Sequence, residues 1–253
     1  MDLKLKGRKA ILAGATKGLG RYAAELLAAE GVDIAFCARD QASIDETAAS
    51  LGSKGVKVHS ASVDLSDPAA YRAWVDDAAA ALSGCDIFIS FASAGGPPAS
   101  EESWTKAFEI DVMGTWRGID AVLPYLEKSD AASIIVVGTN VTIEPNFGPQ
   151  PYAAMKAAIT HHAGALAQKL GPQGIRVNTV SPGPIFITDG SWDKIKQGRR
   201  EFYDATVAKV PAGRLGEPEE VAAAIAFLAS PVARFISGTN IVIDGAMTKR
   251  IQF

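Results

Sequence analysis

The stretch Ala10-Ile-Leu-Ala-Gly-Ala-Thr-Lys-Gly-Leu-Gly20 joins a short apolar run to an amphipathic segment. The run 10–13 predicts a buried strand, and residues 19–30 predict a helix. Glycines in such a turn let the backbone approach a pyrophosphate, and the N-terminus of the following helix offers N–H groups to the anion. The order strand, glycine turn, helix favours a nucleotide site over a plain turn. The residues expected to contact the nucleotide here are Gly14, Thr16, Lys17, Gly18, Leu19 and Gly20.

Outward from this stretch, short apolar runs alternate with Ala-rich amphipathic segments along the whole chain. Strands are predicted at 10–13, 32–37, 56–60, 86–90, 133–137, 175–180 and 240–243, and helices at 19–30, 43–51, 68–82, 102–126, 152–170 and 219–228. This alternation predicts an α/β fold, a parallel, doubly wound sheet with helices on both faces. Residues 1–253 are expected to form a single domain. The least regular region, 182–213, is long enough to predict a substrate lid at about 183–213.

The composition argues against several classes of protein. Apolar residues make up 48% of the 253 residues and charged residues 21%, with a net charge of −3 and no block of like charge. Neither a nucleic-acid surface nor a membrane anchor is expected, and no run is apolar enough to span a membrane. Cys37 and Cys85 are interpreted as buried thiols in a reducing compartment, so the expected location is cytoplasmic. His161 and His162 lack a third ligand nearby, so no metal site is expected.

The end of the second predicted strand, Phe36-Cys-Ala-Arg-Asp40, bears on the choice of nucleotide. NAD sites usually place an acidic side chain here, but the alternation points Ala38 at that position. Arg39 beside it, together with Lys17, suits a 2′-phosphate, so NADP(H) is favoured over NAD(H). Two alternatives stay open: Asp40 could turn inward to the ribose, and the two cations could be ordinary surface charges.

Asp64, followed by Leu65, ends the third apolar segment. Its carboxylate could accept a hydrogen bond from the adenine amino group. It could equally cap the helix that begins near Pro68.

A second motif lies in the later half of the chain, where Tyr152 precedes Lys156 by one helical turn. A nearby ammonium favours the phenolate, so the pair predicts a proton donor and acceptor for carbonyl–alcohol interconversion. Thr139, at the end of the apolar run 134–137, could orient the substrate oxygen. Thr142 is a rival for that role, and a Tyr-x-x-x-Lys pair alone is usually just a surface helix.

These motifs together resemble the short-chain dehydrogenase/reductase family, in its single-domain branch that includes 3-oxoacyl-ACP reductase-like members. The matches run over roughly residues 5 to 250: the glycine loop, Asp64, Tyr152 with Lys156, Asn178 with Ser181-Pro-Gly183, Arg214–Val221, and Ile243-Asp-Gly245. The resemblance implies a seven-stranded Rossmann sheet, a nicotinamide cofactor and hydride transfer. It implies that Lys156 binds the nicotinamide ribose and lowers the tyrosine pKa. It also implies homo-oligomers, dimers or tetramers, through the long helices and the C-terminal strand, with the tail Met247–Phe253 reaching towards a neighbour.

Further cofactor contacts follow from matching this sequence to the family pattern. They are Leu65, Ala92, Pro182, Gly183, Ile185 and Thr188, of which the last two are expected near the nicotinamide.

Three positions depart from that pattern. Thr139 stands where the family has serine, which keeps the hydroxyl and narrows the pocket. Asp111 replaces an asparagine that supports a proton relay to the lysine; a carboxylate there predicts an altered pH profile, unless Asp111 faces solvent. The segment 90–98 replaces Asn-Asn-Ala-Gly, with either Ala92-Ser93 or Ala94-Gly95 in register.

The predicted function is therefore an NADP-dependent oxidoreductase that interconverts a carbonyl and a secondary alcohol, with Tyr152, Lys156, Thr139 and Asp111 as its catalytic residues. An NADP(H)-binding sensor or scaffold with little catalysis is the alternative. Five aromatic side chains favour an apolar or aromatic substrate body: Phe147, Phe186, Trp192, Phe202 and Tyr203. Four cations could recognise an acidic group or carrier protein, although a solvated helix face is the simpler interpretation: Lys194, Lys196, Arg199 and Arg200.

Overall fold

The computed structural model describes residues 1–96 and 99–251. Its strands are β1 (Lys9–Ala13), β2 (Asp33–Ala38), β3 (Val58–Ser62), β4 (Ile87–Ser90), β5 (Ser133–Val137), β6 (Arg176–Pro182) and β7 (Asn240–Ile243). Its helices are α1 (Gly18–Ala29), α2 (Gln41–Gly52), α3 (Pro68–Leu82), α4 (Glu101–Ala107), α5 (Thr115–Leu126), α6 (Pro151–Leu170), α7 (Ser191–Gly198), α8 (Arg200–Val207) and α9 (Pro218–Ala229). A π-helical segment, Phe108–Gly114, joins α4 to α5.

The strands form one seven-stranded sheet in the order β3-β2-β1-β4-β5-β6-β7. Every pair in it is parallel, which confirms the doubly wound α/β prediction. The strand order reverses between β1 and β4, where successive crossovers run to opposite sides of β1. In such sheets the carboxyl ends of the strands open a crevice at the reversal, and ligands bind there.

Helices cover both faces of the sheet, as predicted. In β5, Ile134 and Val136 face a core shared with α3, α5 and α6. The alternate residues Ile135 and Val137 face a second core shared with α1, α2 and α9. Because the inner strands β1, β4 and β5 are buried on both sides, their sequences are largely apolar rather than alternating.

Two predictions about elements were wrong. The third strand lies at 58–62 rather than 56–60; a shift of two residues keeps every side chain on its face, so alternation alone could not exclude it. The segment 182–213 is more regular than expected, since it contains α7 and α8. The break between these helices at Arg199, with φ −144° and ψ 57°, interrupts the apolar period and hides both helices from a pattern search.

Cys37 and Cys85 are buried and unpaired, as predicted. Burial raises the pKa of the Cys37 thiol to about 12, so it stays protonated at neutral pH. Within residues 1–96 and 99–251, no helix combines the length and apolar character that crossing a membrane requires. Pro97 and Pro98 of the replaced Asn-Asn-Ala-Gly region, and the last two residues of the predicted tail contact, lie outside the described residues.

Candidate active site

The carboxyl ends of the strands and the segment after β6 enclose a cleft of about 1220 Å³. The residues predicted to contact the cofactor all line this cleft: Gly14, Thr16, Lys17, Gly18, Leu19, Gly20, Arg39, Asp64, Leu65, Ala92, Tyr152, Lys156, Pro182, Gly183, Ile185 and Thr188. Thr139 lines it as well. Asp111 does not line the cleft: it is fully buried, and its carboxylate pairs with Lys156, which does. The fold therefore brings together residues that are up to 174 positions apart in the chain, from Gly14 to Thr188.

The backbone of the glycine loop has a shape that favours glycine. Gly14 has φ +88° and Gly18 has φ +59°, both in the left-handed region. A Cβ added to Gly20 would lie 2.1 Å from the backbone oxygen of Gly14, so α1 packs against the loop without room for a methyl group. The N-cap residue Lys17 makes no side-chain capping bond to the described residues of α1. The first N–H groups of this helix therefore remain available to an anion, and the cradle fits a pyrophosphate.

The opposite wall of the nucleotide half is formed by the end of β2. Ala38 lines the cleft where an acidic residue would favour NAD. Asp40 is the N-cap of α2, where it accepts a hydrogen bond of 3.0 Å from the backbone N–H of Ser43. The bonds from Ser43, helped by the charge of Lys17, lower the pKa of Asp40. Asp40 lines the cleft as well, but its Oδ2 is engaged by its own helix, which disfavours the alternative in which it serves the ribose.

Asp64 is not a helix cap. The N-cap of α3 is Asp67, whose side chain accepts from the backbone N–H groups of Ala69 and Ala70, each at 3.0 Å. Asp64 instead accepts from the backbone N–H of Ser66 at 2.9 Å. These bonds lower its pKa and keep a carboxylate on the cleft wall, where Arg39 adds a smaller lowering effect.

The second half of the cleft contains the Tyr152 and Lys156 pair. Pro151 occupies the first turn of α6, where a missing N–H costs nothing, and Tyr152 follows it. The Thr139 side chain lines the cleft beside Tyr152 and lowers the pKa of its phenol. The rival Thr142 donates its hydroxyl to the carbonyl of Thr139 at 2.8 Å, which closes a local turn. Thr139 is therefore the hydroxyl that faces the phenol.

Lys156 is 3% exposed and is held by backbone groups. Its Nζ donates to the carbonyl oxygens of Ala92 at 2.7 Å and Val137 at 2.9 Å. Burial lowers the pKa of Lys156, and the adjacent carboxylate of Asp111 acts in the opposite direction. The ammonium thus ties the loop after β4 to the end of β5. Sequence analysis missed these acceptors because a backbone carbonyl has no residue signature.

Asp111 lies in the π-helical segment and faces the site, so the interpretation that places it in solvent is wrong. Its Oδ1 is 3.5 Å from Nζ of Lys156, and its Oδ2 accepts from the backbone N–H of Ala94 at 2.8 Å. The Ser93 side chain also lowers the pKa of this carboxylate. Burial nevertheless raises the pKa of Asp111. The side-chain support lost with the family's asparagines is thus supplied from Asp111, and Ala92 and Ser93 are the residues that line the cleft.

The predicted lowering of the tyrosine pKa is not found. Burial raises the pKa of Tyr152 to about 12; the Thr139 side chain lowers it, and the charge of Asp111 raises it further. The main physical reason is burial, which disfavours the charged phenolate, and the nearby carboxylate of Asp111 adds to the effect.

The loop before α6 and the segment after β6 together form an aromatic cluster, defined here as Phe147, Trp192 and Phe202. The ring centroids of Phe147 lie 6.0 Å from those of both Trp192 and Phe202, and Trp192 and Phe202 are stacked at 6.1 Å. Trp192 also lines the cleft. The cluster therefore connects the loop before α6 to α7 and α8.

Three of the four cations proposed for an acidic substrate already have partners on the same segment. The Lys196 ammonium lies 5.0 Å from the centroid of the Phe186 ring, and the Arg199 guanidinium 4.6 Å from that of Phe202. Arg200 pairs with Asp204 at 2.8 Å. These contacts favour the interpretation of a helix face over that of an anion site.

Comparison with known proteins agrees with this arrangement. A family model described as enoyl-(acyl carrier protein) reductase matches residues 14–248. The chain belongs to the short-chain dehydrogenase/reductase family. It is 35% identical to isoepoxydon dehydrogenase of Penicillium expansum, with 98% of each chain covered. It is 32% identical to a 3-oxoacyl-[acyl-carrier-protein] reductase of Vibrio cholerae, covering 97% of this chain and 99% of that one.

A solved structure shows the same fold with a cofactor. L-sorbose reductase from Gluconobacter frateurii, in complex with NADPH and L-sorbose, superimposes with a TM-score of 0.90 at 27% identity, over 99% of this chain and 100% of that one. Together with the family match, this makes the chain an NAD(P)-dependent oxidoreductase of the short-chain family.

Proposed function

We propose that this chain is an NADP-dependent oxidoreductase that interconverts a carbonyl group and a secondary alcohol, with Tyr152 as general acid and base. The observation that carries the proposal is that the phenol of Tyr152 lies on the cleft wall with Thr139, one helical turn from Lys156. When bound, the nicotinamide supplies or accepts the hydride at the carbonyl carbon. The residues of the chain handle the oxygen and its proton.

In the direction of reduction, negative charge develops on the substrate oxygen. The hydroxyls of Thr139 and Tyr152 can both donate hydrogen bonds to that oxygen, and Tyr152 then transfers its proton to complete the alcohol. The pKa of about 12 means that the phenol is protonated at neutral pH and ready for this step. Oxidation of an alcohol needs the phenolate, so it gains as the pH rises.

Asp111 and Lys156 are proposed to support the proton transfer by Tyr152. We propose that Asp111 takes part in proton movement to Lys156, as an acceptor in place of an amide. An ionised carboxylate accepts from water and from the ammonium but cannot donate. Its Oδ1, buried with no hydrogen-bond partner among the described groups and 3.5 Å from Nζ, is the atom available for this role.

NADP(H) is the proposed cofactor. Lys17 and Arg39 flank the adenosine half of the cleft, and the nearest alternative for a ribose-binding carboxylate, Asp40, caps α2. A ribose 2′-phosphate offers two negative charges to these two cations. The NADPH complex of L-sorbose reductase supports this choice.

The substrate is proposed to be a small carbonyl compound or alcohol with an apolar or aromatic body. Residues at about 183–213 would form the lid over it in a single domain, with Trp192 on the cleft wall. The relative named isoepoxydon dehydrogenase favours a small ring substrate, and the relative named 3-oxoacyl-[acyl-carrier-protein] reductase favours a thioester. The ring-bound cations of α7 and α8 favour the first.

A homo-oligomer is proposed from the surface of the α4–π–α5 rod. Trp104, Phe108 and Trp116 are 41%, 46% and 43% exposed there, and large apolar groups in one row are costly in water. Light scattering across a dilution series would measure the oligomeric state, and a monomer at micromolar concentration would contradict this proposal.

The function is tested by NADPH consumption with cyclic ketones, aryl ketones, aldehydes and acyl thioesters. Tyr152→Phe keeps the ring and removes the proton, so turnover should fall by about 100- to 10,000-fold while NADPH still binds. Tyr203→Phe, a phenol on α8, is the matched control. If the wild type binds NADPH but turns over no carbonyl or alcohol, the alternative of an NADP(H)-binding sensor is favoured. Tyr152 would then have no catalytic role.

A further inference from the structure

The C-terminal tail contacts the loop that connects the two reacting residues. This loop, residues 139–150, begins with Thr139 and ends directly before α6, which carries Tyr152. The carboxylate Oε1 of Glu144, in the middle of the loop, accepts from the backbone N–H groups of both Lys249 and Arg250, each at 2.7 Å. One side chain thus fixes two consecutive residues of the tail.

A second contact joins the tail to the start of the same loop. Asp244, directly after β7, accepts from the backbone N–H of Thr248 at 2.8 Å and from its hydroxyl at 2.5 Å. The same oxygen, Oδ2, accepts from the side-chain amide of Asn140 at 3.2 Å. Met247 is 3% exposed, with its sulfur 3.8 Å from that amide. Asn140 is the neighbour of Thr139, so the tail is linked to the catalytic hydroxyl through one residue.

The polar network is built from two carboxylates and one amide that are remote in sequence. The partners are 104 to 107 residues apart, so their contact depends on the complete fold rather than on a local turn. Asn140 is itself 1% exposed, which makes its amide expensive to leave without partners. The network therefore joins both the start and the middle of the loop to the tail.

We propose that Glu144 and Asp244 are positioning residues, and that the tail Met247–Arg250 is a buttress that holds loop 139–150 in its catalytic conformation. Residues 247–250 thus have a role within their own chain, and the expectation that the tail reaches a neighbour stays a prediction. The inference rests on the proposed function, because the loop matters only if Thr139 and Tyr152 share one substrate oxygen. Misplacing one reacting group by about 1 Å can cost a factor near 100 in rate.

The test compares Glu144→Ala with Glu144→Gln. The alanine variant removes the acceptor and releases the tail; kcat should fall by about tenfold or more, with NADPH affinity unchanged, because the glycine cradle is remote from the loop. The glutamine variant keeps an acceptor oxygen in the same place, so it should recover most of that loss. Glu30→Ala, an exposed carboxylate at the C-terminal end of α1, controls for the change in charge.

Amide hydrogen exchange gives a readout that does not need turnover. Peptides covering residues 139–150 should exchange faster in Glu144→Ala than in the wild type or Glu144→Gln, while peptides from β1 and α1 stay unchanged. Thr248→Val, which removes the hydroxyl contact to Asp244, should produce a smaller change in the same peptides. Unchanged exchange and unchanged kcat in Glu144→Ala would overturn the proposal. An inactive wild type with the predicted exchange pattern would refute the proposed function and leave the buttress standing.

Discussion

The two ends of the cleft are formed by different parts of the chain, main-chain groups at one end and side chains at the other. At the phosphate end the contacts come from the main chain: a loop with two positive φ values, a helix N-terminus, and a Gly20 that has no room for Cβ. At the reacting end they come from buried side chains, with Lys156 and Asp111 3.5 Å apart. Such a main-chain site favours glycine wherever φ is positive or a Cβ would clash, so its sequence is restricted at those positions. A side-chain site can exchange asparagine for aspartate and keep its shape while its charge changes.

The comparison is tested most severely at Gly20. Gly20→Ala places a methyl group 2.1 Å from the Gly14 carbonyl, so the loop or helix must move. We expect NADPH binding to be lost in the accessible concentration range and the free energy of unfolding to fall by about 1–3 kcal/mol. Titration by fluorescence and urea denaturation measure the two effects.

Gly52→Ala is the matched control for that substitution. Gly52 ends α2 with open space around its Cβ position, so alanine should be neutral or stabilise by at most about 1 kcal/mol. Equal effects at positions 20 and 52 would show that the phosphate end is not limited by backbone contact.

Arg39→Ala tests whether exposed charges add selectivity to the main-chain site. Losing a charged hydrogen bond to a 2′-phosphate should weaken NADPH binding by about 10- to 100-fold and leave NADH unchanged. The difference should shrink as salt is raised, because both Arg39 and its phosphate partner are screened by solvent. Equal losses for the two nucleotides would contradict an NADP-specific role.

Asp111→Asn tests the charge at the reacting end. The carboxylate raises the pKa of Tyr152, so removing its charge leaves the Lys156 ammonium to favour the phenolate. The pH profile for alcohol oxidation should move to lower pH, with a rate several-fold higher near pH 8. The measurement is initial velocity from pH 6 to 10.

Asp120→Asn is the control, because it removes the same charge from the exposed face of α5. A profile that stays the same in Asp111→Asn would show that Asp111 is only structural.

The smallest expected effect lies at Ala246, a non-glycine residue with φ +68° at the base of the tail. Ala246→Gly relieves left-handed strain and should raise the free energy of unfolding by about 1 kcal/mol, measured by urea denaturation. Gly245→Ala is the opposite case, since its Cβ would lie 2.7 Å from a methyl carbon of Val210. A loss of stability in Ala246→Gly would mean that the tail tolerates its turn without strain.

The sheet could be predicted because apolar runs and Ala-rich helices alternate without interruption. The third strand was placed two residues early because the shift leaves the pattern unchanged. The helices α7 and α8 were missed because Arg199 breaks their period. Fold prediction thus failed where a periodic signal was ambiguous or interrupted.

At the site, residue types were predictable and their electrostatics were not. Tyr152, Lys156 and Thr139 were found from spacing, and their meeting follows from parallel strands that end at one edge. The direction of the pKa shift of Tyr152 could not be predicted from the sequence, because it depends on burial and on the nearby charge of Asp111. The Ala92 and Val137 carbonyls and the Glu144 contact to the tail are contacts of the folded backbone, so no sequence pattern encodes them.

The π-helical segment Phe108–Gly114 sets the helical phase of everything that follows it. A π turn holds one residue more than an α turn, so it acts as a single-residue insertion accommodated inside a continuous rod. Each residue of an α-helix advances the side-chain direction by about 100°, and this insertion therefore fixes the face that α5 presents. With it, Asp111 is turned to the interior while Trp104 and Trp116 on either side remain at the surface. Deleting one residue here would rotate α5 by about 100° relative to α4. Asp111 could then not stay buried while Trp104 and Trp116 both stay exposed.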